Sequence, residues 1–329
     1  MQVSCALPTS SEVPELGVLA EQLGYHRVWC YDSPALYSDV WVALARLAER
    51  TTRIGLGPGV LVPSLRHPMV NAAAIATVAD LAPGRLAVAI GSGFTGRMAL
   101  GQRPMPWREV EDYVTVLRAL LRGDDATWEG AVVRMLHGPG MAASRPVDVP
   151  VLIGADGPRG LAVAEAVGDG VISARPMAAA AALPWKAVMQ WGTVLDPGED
   201  LGSARVQAAA APGAVIAYHA AYALRGADAV RRLPGGEQWL AQIESSPEAT
   251  RHLAVHEGHA VASNDADRTV AEESRALWSR GLTGEGDEVR RRADKLAGSG
   301  VDELVYQPAG SDLARELTAM ATALGVHVD

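Results

Sequence analysis

Residues 53–62, RIGLGPGVLV, form a continuous apolar run, and residues 69–81, MVNAAAIATVADL, follow it with a helical pattern. An apolar run without polar alternation is typical of a strand that is covered on both faces of a parallel sheet. Gly57 and Gly59 interrupt the run, which predicts either a bulge or tight turn at this point or a close backbone approach to something flat. This strand–helix pair sets the pattern for the chain on either side of it.

The same pair recurs along the sequence. Further apolar strands are predicted at 3–7, 27–32, 85–93, 149–156, 169–175, 186–195 and 302–308. Helices are predicted at 14–23, 40–50, 109–123 and 160–168. Eight strand–helix units favour an α/β fold of the (β/α)8 TIM-barrel type. A doubly wound open sheet is the alternative, but the first strand is not followed by GxGxxG.

The range 196–300 is too long to be one helix between the seventh and eighth strands. It is predicted to be a helical insertion over the barrel mouth, with helices at 203–225, 237–244 and 266–278. Since nothing resembles a flexible linker, residues 1–329 are expected to form one barrel domain.

Composition excludes several functions. The 329 residues carry a net charge of −9, which gives no basic surface for nucleic acid or an anionic membrane. The sequence has no apolar run of about 18 residues and no leader pattern at its start, so a cytoplasmic protein is expected. The expected partner is a small-molecule substrate.

In a barrel of this type, function lies at the carboxyl ends of the strands. The candidates at these ends are Leu7–Pro8, Asp32–Ser33, Gly59–Val60, Gly91–Thr95, Gly154–Gly157, Ala174–Pro176, Trp191–Thr193 and Gln307–Pro308. Two of these segments, GSGFTGR at 91–97 and GADGPRG at 154–160, are rich in glycine. Their backbone N–H groups suit a phosphate or carbonyl oxygen, and Ser92, Thr95 and Arg97 add polar groups. Asp156 is either part of such a site or a simple helix cap.

The segment RHLAVHEGH at 251–259 holds His252, His256 and His259 next to Glu257. On a helix, His252 and His256 would share one face, as zinc ligands can. However, HEGH is not HExxH, and Gly258 can break the helix. The sequence therefore predicts no metal site, and the histidines either face a substrate or pack as structural residues. His219 is interpreted as structural.

Together, GPGVLVPSLRHP at 57–68, GSGFTGRMALGQRP at 91–104 and GADGPRG at 154–160 resemble the bacterial luciferase-like family. The resemblance is to its branch of oxidoreductases that use the deazaflavin coenzyme F420, which includes methylenetetrahydromethanopterin reductase. It covers residues 1–175 and 300–325, and it implies F420 as cofactor, with FMN as the alternative. It also implies a homodimer.

The resemblance implies a set of cofactor-binding residues. Gly59–Val60 matches the non-prolyl cis peptide that backs the ring in this family. The other implied contacts are Asp32, Ser92, Gly93, Phe94, Thr95 and Arg97 for the ring and its chain, and Gly154, Ala155, Asp156 and Gly157 for the phosphate.

Two departures from the family bear on the reaction. Deazaflavin-dependent sugar-phosphate and alcohol dehydrogenases have a histidine after the aspartate of the second strand, where this chain has Ser33. The sugar-phosphate enzymes have an acid where this chain has Phe94. A base for a hydroxyl proton is thus missing, which favours reduction of a C=N or C=C bond. The candidate proton donors are Tyr31, Ser33, His256 and Glu257. An FMN-dependent monooxygenase and a non-catalytic flavin-binding paralogue are the alternatives.

Overall fold

A computed structural model describes residues 1–327 and contains one sheet of eight parallel strands. The strands of this sheet are β1 (Gln2–Leu7), β2 (Arg27–Cys30), β3 (Gly55–Pro58), β4 (Val88–Gly91), β7 (Val151–Gly154), β8 (Gly170–Ser173), β9 (Lys186–Trp191) and β10 (Glu303–Gln307). The strands β5 (Ala126–Trp128) and β6 (Ala131–Val133) form a separate hairpin. The spatial order in the eight-stranded sheet is β3-β2-β1-β10-β9-β8-β7-β4. Single parallel bridges, Leu56 to Leu86 and Leu61 to Ile90, join the two edge strands. The predicted TIM-barrel fold is therefore confirmed.

Helices cover the outside of this sheet. They are α1 (Val13–Leu23), α2 (Val40–Arg50), α3 (Pro68–Leu81), α5 (Trp107–Arg122) and α6 (Pro158–Val167). The short α4 (Phe94–Met98) instead follows the carboxyl end of β4. The main core lies between their apolar faces and the outer face of the sheet, as at Leu44 and Leu47 of α2. The hairpin β5 (Ala126–Trp128) and β6 (Ala131–Val133) follows α5, and the sequence patterns did not predict it.

The segment between β9 and β10 is helical, as expected from the sequence. It contains α7 (Ala204–Arg225), α8 (Ala227–Val230), α9 (Gly236–Glu244), α10 (Arg251–His256), α11 (Asp265–Thr269), α12 (Arg275–Trp278) and α13 (Gly286–Gly298), and α14 (Leu313–Leu324) follows β10. The continuous helix predicted at 266–278 is wrong, because α11 ends at Thr269. Helix α13 packs against α14 and into the main core through Val289 and Ala293, so it belongs to the outer ring.

The helices α7 to α11 have a separate small core. Tyr218, Trp239 and Val270 are fully buried in it. The insertion therefore has its own apolar core, separate from the main core of the barrel. Within residues 1–327, no helix is both long and apolar enough to cross a bilayer.

The join between β3 and β4 depends on Gly57. A Cβ atom at this position would lie 2.3 Å from the carbonyl oxygen of Ala87 and 2.8 Å from the Trp29 ring. Backbone atoms cannot give way as a flexible side chain can, so only glycine lets the two edge strands approach this closely.

We expect Gly57→Ala to lower the free energy of unfolding by about 3 kcal/mol or to prevent folding, because the added methyl group overpacks the join. Urea denaturation measures the change. Gly138→Ala is the control, since a Cβ atom there meets no atom within 4 Å. Equal unfolding midpoints for the two variants would contradict this role for Gly57.

Candidate active site

A cavity of about 200 Å³ lies at the carboxyl ends of the strands, between the barrel and the insertion. Eight of the sequence-predicted residues line it: Tyr31, Asp32, Ser33, Gly59, Val60, Gly93, Phe94 and Thr95. The insertion contributes Ile216 and His259 from the opposite side. The cavity thus has a floor from the barrel and a roof from the insertion.

Val60 forms part of the floor of this cavity. The Gly59–Val60 peptide bond is cis, as the resemblance implies. Gly91 and Gly154 are neighbours in register at the ends of β4 and β7. A Cβ atom on Gly91 would lie 2.8 Å from Cγ2 of Val60, and one on Gly154 would lie 2.8 Å from Cγ1. The Val60 side chain therefore occupies the space that these two glycines leave free.

Asp32 is held in the cavity wall by an ion pair. Its carboxylate accepts hydrogen bonds from Arg66 Nη1 at 2.8 and 2.9 Å and from the backbone N–H of Val62 at 3.2 Å. Only 1% of the side chain is exposed, and burial raises the pKa of the Asp32 carboxyl although Arg66 acts in the opposite direction. Arg66 also binds Asp39 at 2.8 Å, so the guanidinium joins two carboxylates of the chain. Asp32 therefore anchors the loop that follows Val60.

Two buried N–H groups in the cavity lining lack partners. Tyr31 Oη donates to Gln307 Oε1 at 3.1 Å, which leaves Nε2 of the same amide free. Among the described residues, neither Gln307 Nε2 nor Trp191 Nε1 has a hydrogen-bond acceptor. A buried donor without an acceptor is costly, so a ligand that accepts both bonds would gain from them. Burial raises the pKa of Tyr31 well above its usual value, and its hydroxyl stays protonated at neutral pH.

The glycine-rich segment after β4 is divided between the cavity and its surroundings. Gly93 has a φ of 81° and caps α4, which turns Phe94 and Thr95 into the cavity. Ser92 and Arg97 do not line it: the Ser92 carbonyl accepts from Met105 N–H, and Arg97 Nε donates to the Arg103 carbonyl at 2.6 Å.

The segment after β7 lies beside the cavity. Ala155 is buried, and Asp156 is exposed and accepts a hydrogen bond from the Ala174 N–H at 2.7 Å. Gly157, not Asp156, caps α6, and Pro158 occupies its first turn. A Cβ atom at Gly157 would meet nothing within 4 Å, so there is open space beside this helix start.

Neither His256 nor Glu257 lines this cavity. Glu257 is exposed and borders a second cavity, while His256 is 1% exposed. Burial, followed by the nearby His219 and His252, lowers the pKa of His256 to about 3. Its imidazole is neutral at pH 7 and has no proton to release as an acid.

Several lining residues were not singled out from the sequence as site residues. Gln307 and Trp191 were named only as strand ends, and Tyr37, Met189 and Ile216 carried no signal. Tyr37 Oη donates to the backbone carbonyl of His259 and so joins the second strand's loop to the insertion. Such pairings connect residues more than 200 positions apart, which no local pattern can indicate.

The fold and site define a (β/α)8 barrel with a ligand cavity at the carboxyl ends of its strands. The family model described as luciferase-like monooxygenase matches residues 2–303. The chain therefore belongs to this family.

Similar proteins include F420-dependent ones. The chain is 32% identical over 158 residues to the 5,10-methylenetetrahydromethanopterin reductase of Methanolobus tindarius, covering 47% of each chain. It is 33% identical over 184 residues to the F420-dependent glucose-6-phosphate dehydrogenase of Nakamurella multipartita, covering 50% of this chain and 52% of the relative. These matches span about half the length of the curated relatives.

The coenzyme F420-dependent tetrahydromethanopterin reductase from Methanopyrus kandleri shares the fold, with a TM-score of 0.66 over 100% of both chains and 19% identity. The same fold is found in a monooxygenase from Pseudomonas putida in complex with FMN. These structural likenesses describe the fold alone.

The two carboxylates that bind Arg66 should contribute unequally to stability. We expect Asp32→Asn to lower the free energy of unfolding by about 3 kcal/mol, because it removes the buried carboxylate and leaves Arg66 paired only with the half-exposed Asp39. Asp39→Asn is the matched control: its carboxylate is 47% exposed, and asparagine still caps α2, so about 1 kcal/mol or less is expected. Urea unfolding of both variants tests this, and equal losses would show that the Asp32 pair is no anchor.

Proposed function

We propose that this protein is a coenzyme F420-dependent oxidoreductase that transfers hydride from the reduced deazaflavin to a C=N or C=C bond of a small organic substrate. The observation that carries the proposal is the cavity floored by Val60, in which the two candidate bases, Asp32 and His259, are already bonded to partners within the chain. The F420-dependent relatives support the choice of cofactor.

The cavity lining fits a deazaflavin ring. Val60, backed by Gly91 and Gly154, offers an apolar surface for one face of a flat ring. The unpartnered N–H groups of Gln307 and Trp191 match a ring edge that carries carbonyl oxygens and ring nitrogens. The open start of α6 at Gly157 would hold the phosphate of the side chain.

When bound, the reduced deazaflavin supplies the hydride. The protein's own residues exclude water, orient the substrate and hold the proton that completes the reduction. Of the four predicted donors, Tyr31 and Ser33 line the cavity, and the Tyr31 hydroxyl is kept protonated by burial. We assign the proton to Tyr31 Oη.

The state of the cavity's bases supports the proposed direction of the reaction. Oxidation of an alcohol needs a base to accept the hydroxyl proton. Asp32 is the carboxylate among the lining residues, and it is bonded to Arg66 and Val62. His259 is the imidazole among them, and both of its nitrogens are engaged, with Thr95 Oγ1 at 2.9 Å and with His219 at 2.7 Å. Neither is free to act, which favours reduction.

The proposal predicts a cofactor preference. Titration of the purified chain with F420, followed by fluorescence, should give a dissociation constant at least about tenfold lower than that for FMN, a difference of about 1.4 kcal/mol. Enzyme with reduced F420 should then oxidise it in the presence of imine or enone acceptors. Tight FMN binding without detectable F420 binding would instead favour an FMN-dependent monooxygenase. Cofactor binding with no hydride transfer to any acceptor would favour the non-catalytic paralogue.

The fit of the ring edge can be tested separately. Gln307→Glu keeps the acceptor for Tyr31 but replaces the free N–H donor with a second carboxylate oxygen. We expect F420 affinity to fall about 10- to 100-fold, because an acceptor would then face an acceptor. Gln238→Glu, at an exposed position on α9, adds the same charge and should leave affinity unchanged. If both variants bind as the natural chain does, the ring edge does not lie at Gln307.

A further inference from the structure

Three buried histidines meet beside the cavity, where the insertion joins the barrel. His219 comes from α7, His256 from the end of α10, and His259 from the turn that follows. Their exposed fractions are 0%, 1% and 4%. One ring nitrogen from each lies within 4.8 Å of the others. We refer to these residues as the histidine triad.

The outward-facing nitrogens of two triad members have fixed oxygen partners. His219 Nε2 lies 3.0 Å from Asp267 Oδ1, and His259 Nε2 lies 2.9 Å from Thr95 Oγ1. Asp267 is itself fully buried and accepts a second bond from Trp239 Nε1 at 2.9 Å. A metal-bound imidazole characteristically donates its other N–H to a carboxylate or another oxygen, which fixes its tautomer. Both of these imidazoles therefore have the outer partner that a ligand needs.

The inward-facing nitrogens lack a complete set of partners. With these outward bonds made, Nδ1 of His219 and Nδ1 of His259 face each other at 2.7 Å. One shared proton would join these two rings, but it would give His256 no hydrogen-bond partner. Nδ1 of His256 is buried and has no hydrogen-bond partner among the described residues. An ion between the three rings would engage all of them.

Two members of the triad, His256 and His259, are buried deeply enough to favour their neutral form. Burial lowers the pKa of His256 to about 3 and that of His259 well below its usual value. Both imidazoles are thus neutral at pH 7, which is the form that ligates metals. No cysteine is nearby to favour softer ions, since Cys5 and Cys30 are buried in the barrel core.

We propose that the histidine triad binds one divalent transition-metal ion of the zinc class, with Asp267 and Thr95 as outer hydrogen-bond partners. Imidazole nitrogens suit zinc and its neighbours in the first transition row. The ion would connect α7 with α10 through its ligands. The ligands in turn contact the segment after β4, because Thr95 is hydrogen-bonded to His259 and the Phe94 ring packs against His256 and His259. The pair of His252 and His256 considered from the sequence is not this site.

The first test is the stoichiometry of the natural chain. Protein treated with a chelator is titrated with Zn²⁺ by calorimetry, and bound metal is counted by elemental analysis after dialysis. We expect about one ion per chain. His256→Ala and His259→Ala should each weaken binding more than about 100-fold, since loss of an outer partner alone costs about 10- to 100-fold. His252→Ala, which removes a histidine beside the triad, should bind as the natural chain does.

Two further variants separate a built site from adventitious binding. Asp267→Asn replaces the outer carboxylate with a neutral amide, and Thr95→Val removes the outer hydroxyl, while all three imidazoles are kept, so both variants should weaken Zn²⁺ binding about 10- to 100-fold at unchanged stoichiometry. Circular dichroism of each variant checks that it folds. The proposal is overturned if the natural chain takes up no zinc beyond that of the His256→Ala, His259→Ala double variant, or if His252→Ala loses binding equally. Because the readout needs no F420, the result is independent of the proposed function.

Discussion

The absence of side chains at Gly91 and Gly154 is the constraint on which the cavity depends. Val60 lies over both positions, and any Cβ atom there would come within 2.8 Å of its methyl groups. The floor of the cavity is therefore set by two glycines on strands other than its own. The Asp32–Arg66 pair then fixes the chain beyond Val60, because it accepts the Val62 N–H and also reaches the start of α2 through Asp39.

This arrangement gives Asp32 a structural role in addition to the cofactor contact that the resemblance implies. The oxygens of Asp32 are occupied by Arg66 and Val62, and its side chain is 1% exposed. The residue lines the cavity, but its contribution is the position of the backbone between Val60 and Arg66. Arg66 has two carboxylate partners within the chain, Asp32 and Asp39.

The barrel could be predicted from the sequence because parallel strands buried on both faces leave continuous apolar runs. The same topology places the carboxyl ends of the strands together, so the sequence alone indicates that Tyr31, Val60 and Phe94 lie at the site. The insertion was less predictable, because short helices such as α11 and α12 have too few turns to show a periodicity. The histidine triad was missed for another reason: His219 and His259 are 40 residues apart, and only the packing of α7 against α10 brings them together.

The barrel side and the insertion side of the cavity are held in place by different parts of the structure. On the barrel side, Val60, Gly91 and Gly154 are fixed by strand register, so substitutions there disturb the floor and the fold together. On the insertion side, Ile216 lies on α7, which belongs to the separate small core, and His259 lies in the turn after α10. Polar contacts with the barrel include Thr95 with His259, Tyr37 with the His259 carbonyl and Arg205 with Glu316. Changes at Ile216 can therefore reshape the roof without touching the glycines that set the floor.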